Sequence, residues 1–216
     1  MALNINGTTG ISGVDGSVSA PAVTGTDSNT GITFPAADTI KFATGGVERM
    51  SITNSGFGGI VQGFTEFDTY HLSVSITADT DPIASNIVRS AFTGSATQIG
   101  TGMTQNSGIW TFPSTGKYLV FVNAQFNLNG SDSISLDTYV TINNGSSYSA
   151  AARAIDGANG TGVRQGNGTS LAFLDVTDTS QVKVKFAVGS IGTSSGVVGN
   201  NTFRTTTFTF IKIGET

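Results

Sequence analysis

The sequence predicts an all-β protein, an antiparallel sandwich of the jelly-roll kind preceded by an extended β-rich arm. Three observations carry that prediction. Apolar residues recur at every second position in run after run, the spacing at which strand side chains return to the same face, and almost nothing recurs at helical period. Asn-Gly dipeptides at 6–7, 129–130, 144–145, 159–160 and 167–168 supply the residues that tight reverse turns prefer. Only 11% of the 216 residues are charged, against about 25% in an ordinary soluble domain, whereas 29 are glycine. The surface is therefore solvated mainly by hydroxyls and amides.

Residues 1–57 read as an arm. From Asn4 to Gly31 the chain is mostly Gly, Ser, Thr, Asn and Asp, with single apolar residues at Ile11, Val14, Val18 and Val23, too few for an independent core. Three short strand-like pieces follow, Ile32–Pro35, Thr39–Ala43 and Glu48–Ile52. Isolated hairpins are marginal in water, so the arm is expected to pair with copies of itself or to lie on another protein. Within it, Phe42-Ala43-Thr44-Gly45-Gly46-Val47-Glu48-Arg49-Met50-Ser51-Ile52-Thr53-Asn54-Ser55-Gly56 resembles a short element of tail-fibre and other virion appendage proteins of bacteriophages. The resemblance implies one turn of a trimeric β-rich stalk, with the glycines at tight bends. Residues 58–63, Gly-Gly-Ile-Val-Gln-Gly, read as a linker.

Residues 64–216 read as the head. His71 to Thr77 sets Leu72, Val74 and Ile76 against His71, Ser73, Ser75 and Thr77, a half-solvated strand, and Ile87 to Phe92 is a short apolar piece. The centre of the chain is Gly108 to Phe126: a strand, a Pro113–Gly116 turn, and a long strand with Tyr118, Val120, Val122, Ala124 and Phe126 on one face. Ser135–Ile142, Leu171–Val176, Gln181–Val188 and Phe203–Ile213 complete the set, and the row Val182, Val184, Phe186, Val188 marks one core face. Two strands are apolar on both faces. Leu119 and Phe121 stand behind the core face of the central strand, and Phe208 and Phe210 oppose Ile211 and Ile213 in the last one. A strand of that kind is covered once by its own core and again by a neighbour. Leu119, Phe121, Phe208, Phe210 and Ile211 are therefore the candidate interface residues of a homotrimer.

The stretch Gly108-Ile109-Trp110-Thr111-Phe112-Pro113-Ser114-Thr115-Gly116-Lys117-Tyr118-Leu119-Val120 resembles the signature of the complement component 1q and tumour-necrosis-factor jelly-roll family. Tyr139–Gly145, Ser170–Val176 with Gln181–Val184, and Phe208–Ile213 are similar to later strands of that family. The resemblance spans residues 64–216 and implies a ten-stranded jelly roll that trimerises through the sheet holding the central and final strands. Thr177-Asp178-Thr179-Ser180 stands where the family has a Gly-Asp turn, and there is no Cys, so the family's calcium and receptor sites are not carried over.

Charge and residue inventory narrow the function. The net charge is −4 and the ten Lys and Arg are scattered singly, so the basic stripe that neutralises phosphates is missing and nucleic acid is not an expected partner. No run of 18 apolar residues predicts membrane insertion, and the start, Met1 to Gly7, lacks the pattern of a secretory signal. Manufacture in a host cytoplasm and residence on a virion surface are expected. His71 is the sole imidazole and has no nucleophile elbow near it, and the pairs Asp79/Asp81, Asp132/Asp137 and Asp175/Asp178 read as turn caps. No catalytic residue, metal or cofactor is nominated.

The expected function is a non-enzymatic virion structural protein. It would be a homotrimeric capsid decoration or head-fibre protein, held to the major capsid or tail proteins through residues 1–57. The alternative is a receptor-binding lectin or adhesin at the tip of a short tail fibre, recognising host surface glycans. Its ligand-facing loop residues would be Tyr148, Asn159, Asn167 and Phe203, because loops on a rigid scaffold are where recognition is placed.

Overall fold

Every regular element among the residues that the computed structural model describes (4–6, 10–12, 15–58, 64–91 and 98–216) is a β-strand. The chain divides into two compact units, Met1–Gly63 and Phe64–Thr216. Residues 59–63 of the expected linker, and Gly7 of the first Asn-Gly pair, lie outside the described residues.

In the first unit, β1 (Gly31–Ala36), β2 (Thr39–Thr44) and β3 (Val47–Thr53) form an antiparallel meander, extended at its edges by Val23–Thr24 and Gly56–Gly58. Gly45 and Gly46, at φ 60° and 74°, make the turn between β2 and β3, a conformation that costs residues with a Cβ. Very little is buried. Among the described side chains of this unit, Pro21 and Ala43 are the buried apolar ones, while Val23, Phe34 and Val47 are exposed and Ile40, Phe42, Met50 and Ile52 are only half-covered.

The second unit is the jelly roll that the alternation predicts. Its strands are β4 (Phe67–Leu72), β5 (Ile87–Arg89), β6 (Thr104–Asn106), β7 (Ile109–Thr111), β8 (Gly116–Asn129), β9 (Ser133–Thr141), β10 (Ser149–Gly157), β11 (Val163–Val176), β12 (Lys183–Gly189) and β13 (Thr207–Gly214). One sheet runs β5-β4-β13-β8-β11, with the two-residue strands Gln98–Ile99 beside β4 and Gly196–Val197 beside β8. The other runs β6-β7-β12-β9-β10, and all pairs are antiparallel. Between the sheets lie Tyr118, Val120, Val122, Ala124, Phe126 and Leu128 of β8, facing Leu136 of β9 and Val184, Phe186 and Val188 of β12. An aromatic cluster fills the centre: Trp110 meets Tyr70 edge-on at 4.5 Å between ring centroids, and Phe186 packs on Phe208 at 4.6 Å.

The structure differs from the sequence-based expectation at four places. First, the strand expected over 71–77 spans Phe67–Leu72 instead, and Val74 is exposed. Beyond Leu72 the chain turns to the 196–200 segment, with Ile76 bridging Val197 and Asn200 N–H donating to the Leu72 carbonyl. Second, Asn167-Gly168 is no turn but the middle of β11. A Cβ at Gly168 would stand 2.8 Å from the Ile155 nitrogen and 3.0 Å from its oxygen, so glycine is needed where the backbone of β10 comes close. Third, Ile142 lies beyond β9 and is exposed. Fourth, Phe203 precedes the final strand, in the loop before Thr207.

The crowding at Gly168 yields a prediction with a telling sign. Glycine to alanine in an open strand stabilises slightly through the unfolded chain, by about 0.4–1 kcal/mol. Gly168→Ala instead forces backbone apart and is expected to cost about 1–3 kcal/mol, as overpacking does. A thermal melt of the full chain checks it, and an unchanged or raised midpoint would refute the close approach.

Candidate functional site

The outer face of the first sheet is built by register. In β8 the residues behind the core row are Lys117, Leu119, Phe121, Asn123, Gln125, Asn127 and Asn129. Leu119 stands opposite Phe173 on one side and Ile211 on the other, and Ile211 in turn faces Phe67. In the next row Phe121 lies between Leu171 and Thr209, followed by Thr69, whose hydroxyl is 3.1 Å from that of Thr209. Cross-strand neighbours stand about 5 Å apart at Cβ, so Phe67, Ile211, Leu119, Phe173, Phe121 and Leu171 form one continuous apolar patch across four strands. It is open. Phe121 is 39% exposed, Leu171 54% and Phe173 59%.

Further along β8 the same face becomes polar. Asn123 lies between Thr169 and Thr207, and Gln125 is opposite Asn167 and donates from Nε2 to Gln165 Oε1 at 3.3 Å. The face is thus split along its length into an apolar half and an amide half.

Two of the predicted interface residues do not belong to it. Phe208 and Phe210 are 0% and 1% exposed and point between the sheets, packed on Phe186 and Trp110, so they cannot meet a partner. Leu119, Phe121 and Ile211 do share the outer face. Leu171 and Phe173, the most exposed members of the patch, were not nominated by sequence. Their strand alternates apolar on both faces, against Ala172 and Leu174, so period alone does not say which row looks outward.

The predicted loop residues are not brought together. Asn167 is exposed on β11, Asn159 lies between β10 and β11, Phe203 precedes β13, and Tyr148 precedes β10. The Tyr148 ring is already capped by Lys185, whose Nζ sits 4.8 Å from its centroid, 5.3 Å from that of Tyr139 and 2.6 Å from Asp81 Oδ1. Of the aspartates, Asp79 accepts from Ile191 N–H, Asp132 from Gly192 N–H and Asp178 from Ser180 N–H, whereas Asp137 lies within β9 and holds Arg153 through both carboxylate oxygens. Among the described residues no three His, Asp or Glu side chains are grouped to hold a metal.

Two buried polar groups flank the apolar patch on β4. Asp68, 1% exposed, receives Arg89 Nε and Nη2 at 2.9 and 2.8 Å, Tyr70 Oη at 2.8 Å and Met103 N–H at 2.8 Å, which ties β4, β5 and the 100–103 segment together. Burial pushes the Tyr70 phenol well above its usual pKa, and the Asp68 carboxylate beside it adds to the rise. His71 is also buried. Its Nδ1 is 3.1 Å from Ser90 Oγ, and burial holds its pKa below the ordinary histidine value despite a hydrogen bond with Asn201, with the Arg204 charge acting in the same direction as burial.

A histidine held neutral in the fold takes up its proton more readily in the unfolded chain. The stability that His71 contributes is complete above its unfolded pKa near 6.5 and is lost as pH falls through the lower folded value. The melting midpoint is expected to be flat from pH 8 to 7 and to fall below pH 6.5. In His71→Gln that slope between pH 6.5 and 5 should vanish, and a slope retained in the variant would place its origin elsewhere.

The architecture defines the class: an all-β jelly roll of the tumour-necrosis-factor-like kind. No family model matches the chain, and no curated protein matches it in sequence. Among solved structures it is similar to Eiger TNF from S. frugiperda, at 14% identity and TM-score 0.51, over 71% of this chain and 96% of that one. It is also similar to murine APRIL at pH 5.0, at 11% identity and TM-score 0.50, over 68% and 98%. Likeness at these identities concerns the fold.

Proposed function

We propose that the chain is a non-enzymatic assembly protein whose head forms a homotrimer through the outer face of the first sheet. The apolar patch of Phe67, Leu119, Phe121, Leu171, Phe173 and Ile211 carries this reading. Neighbouring exposed and half-exposed aromatic and aliphatic side chains in four adjacent strands are what a chain with 11% charge would hide, and each Å² covered contributes about 25 cal/mol before the costs of association. Threefold symmetry is what the jelly-roll resemblance implies.

The finer reading is a bacteriophage virion surface protein, a capsid decoration or head-fibre protein attached to the particle through residues 1–57. Two features support it. The 42–56 stretch that resembles virion appendage elements folds into the β2–β3 hairpin, and its unit leaves Phe34 exposed and Ile40 and Ile52 only half-covered, as expected of an element completed by another surface.

Light scattering tests the assembly directly. The full chain is expected at about three times 22.1 kDa, with a chain beginning at Phe64 still trimeric. A monomeric head would remove the proposal. Attachment is tested by adding the full and shortened chains to particles of a candidate phage that lack the protein: only the full chain should sediment with them.

A further inference from the structure

The amide half of the first sheet's outer face borders a cavity of about 410 Å³, walled by Ser75, Thr77, Asn127, Gln165 and the 194–198 segment. Asn127 lies opposite Gln165 on one side and Gly196 on the other. The absent side chain at Gly196 lets its backbone pass close to residue 76: a Cβ there would stand 2.4 Å from the Ile76 oxygen. Ser194, at φ 66°, adopts a left-handed conformation rare for a residue with a Cβ, at the rim of the same cavity.

The chemistry of the wall is selective. No ionisable side chain lines it. Ser75 Oγ and Ser195 Oγ are engaged with Gly199 and Asn129 N–H, and Gln165 Oε1 accepts from Gln125. Among the described residues, no hydrogen bond is made by the Asn127 side-chain amide, the Thr77 hydroxyl or the Ser194 hydroxyl. Val198, half-buried, supplies an apolar surface beside these groups, above the buried Val197. Uncommitted donors and acceptors beside an apolar strip, with no countercharge, suit a ligand that is neutral, rich in hydroxyls and apolar on one face.

From this we infer that the cavity is a binding site for a neutral sugar, a hexose-sized unit of a glycan. It does not depend on the trimer. Asn127 is six residues along β8 from Phe121, about 20 Å at strand rise, so the cavity and the apolar patch occupy different parts of the face. It also does not use the loop residues Tyr148, Asn159 or Phe203.

Saturation-transfer NMR on the full chain tests it, with the methyl glycosides of glucose, galactose, mannose and N-acetylglucosamine as probes and N-acetylneuraminic acid as the charged control. At least one neutral glycoside is expected to bind with an affinity of about 1 mM, as is usual for so small a ligand, and the charged sugar is expected to bind less well. Asn127→Ala/Gln165→Ala should weaken binding about tenfold or more while leaving the solution mass and melting midpoint unchanged. Should that variant fail to fold, Thr77→Val replaces it, with the same loss expected. Absence of transfer to every neutral probe overturns the inference, as does binding that survives these substitutions or favours the charged sugar.

Discussion

Phe121→Asp is expected to convert the proposed trimer to a monomer at micromolar concentration. The side chain is partly solvent-facing in the protomer, so the carboxylate is hydrated there and the fold is retained. In the assembly it would lie among Leu119, Leu171 and Thr209 with no cation beside it in the sheet register. An uncompensated buried charge costs about 3–5 kcal/mol, and threefold symmetry repeats the cost at three interfaces, about 9–15 kcal/mol in all. At 1.4 kcal/mol per decade that is six decades or more in the association constant. Sedimentation velocity would show a single species of 22.1 kDa, with a melting midpoint only slightly below that of the dissociated parent. A trimer that survives Phe121→Asp and Leu171→Asp alike would show that this face is not the interface.

The second large effect lies at Asp68. Asp68→Ala removes the acceptor for the Arg89 guanidinium, the Tyr70 hydroxyl and the Met103 N–H at once. Arg89 is 39% exposed and regains water, so most of the loss comes from the phenol and the amide left with poorer partners inside. A cost of about 3–5 kcal/mol is expected, roughly 10 °C in melting midpoint for a unit of this size. Tyr70→Phe should cost less, about 1–2 kcal/mol, because the carboxylate keeps its arginine. A double-mutant cycle with Arg89→Ala measures the coupling, and additive losses would mean that the three groups do not act together.

The fold was legible where one face of a strand decided it. The row from Tyr118 to Phe126 alternates strictly with polar or less buried residues, and it became the inner face of β8 with every member buried. Legibility failed where a distant segment set the environment. His71 sits on the polar side of its strand in sequence, yet Ser90 and the 201–204 segment cover it, and no local pattern carries that. Asn167-Gly168 has the composition of a turn, but the near contact of Ile155 uses the glycine for space instead. For the proposed interface the sequence marks Phe208, Phe210 and Ile211 alike. Only the sheet's orientation sends the two phenylalanines inward and leaves Ile211 in one row with Leu119 and Phe173.

The pairing of β4 with β13 bears on how the molecule is made. Thr69 and Thr209, joined across that ladder, are 140 residues apart in the chain. Contacts of such separation form late, because the loop must close before they gain anything, and sandwiches of this topology fold in milliseconds to seconds. At about 5–20 residues per second the ribosome needs some 7–30 s between the two strands. During that interval the edge of β4 that will receive β13 has no partner, so the head cannot complete its first sheet until β13 has been made. A nascent chain stalled before Thr207 should accordingly stay protease-sensitive throughout the head.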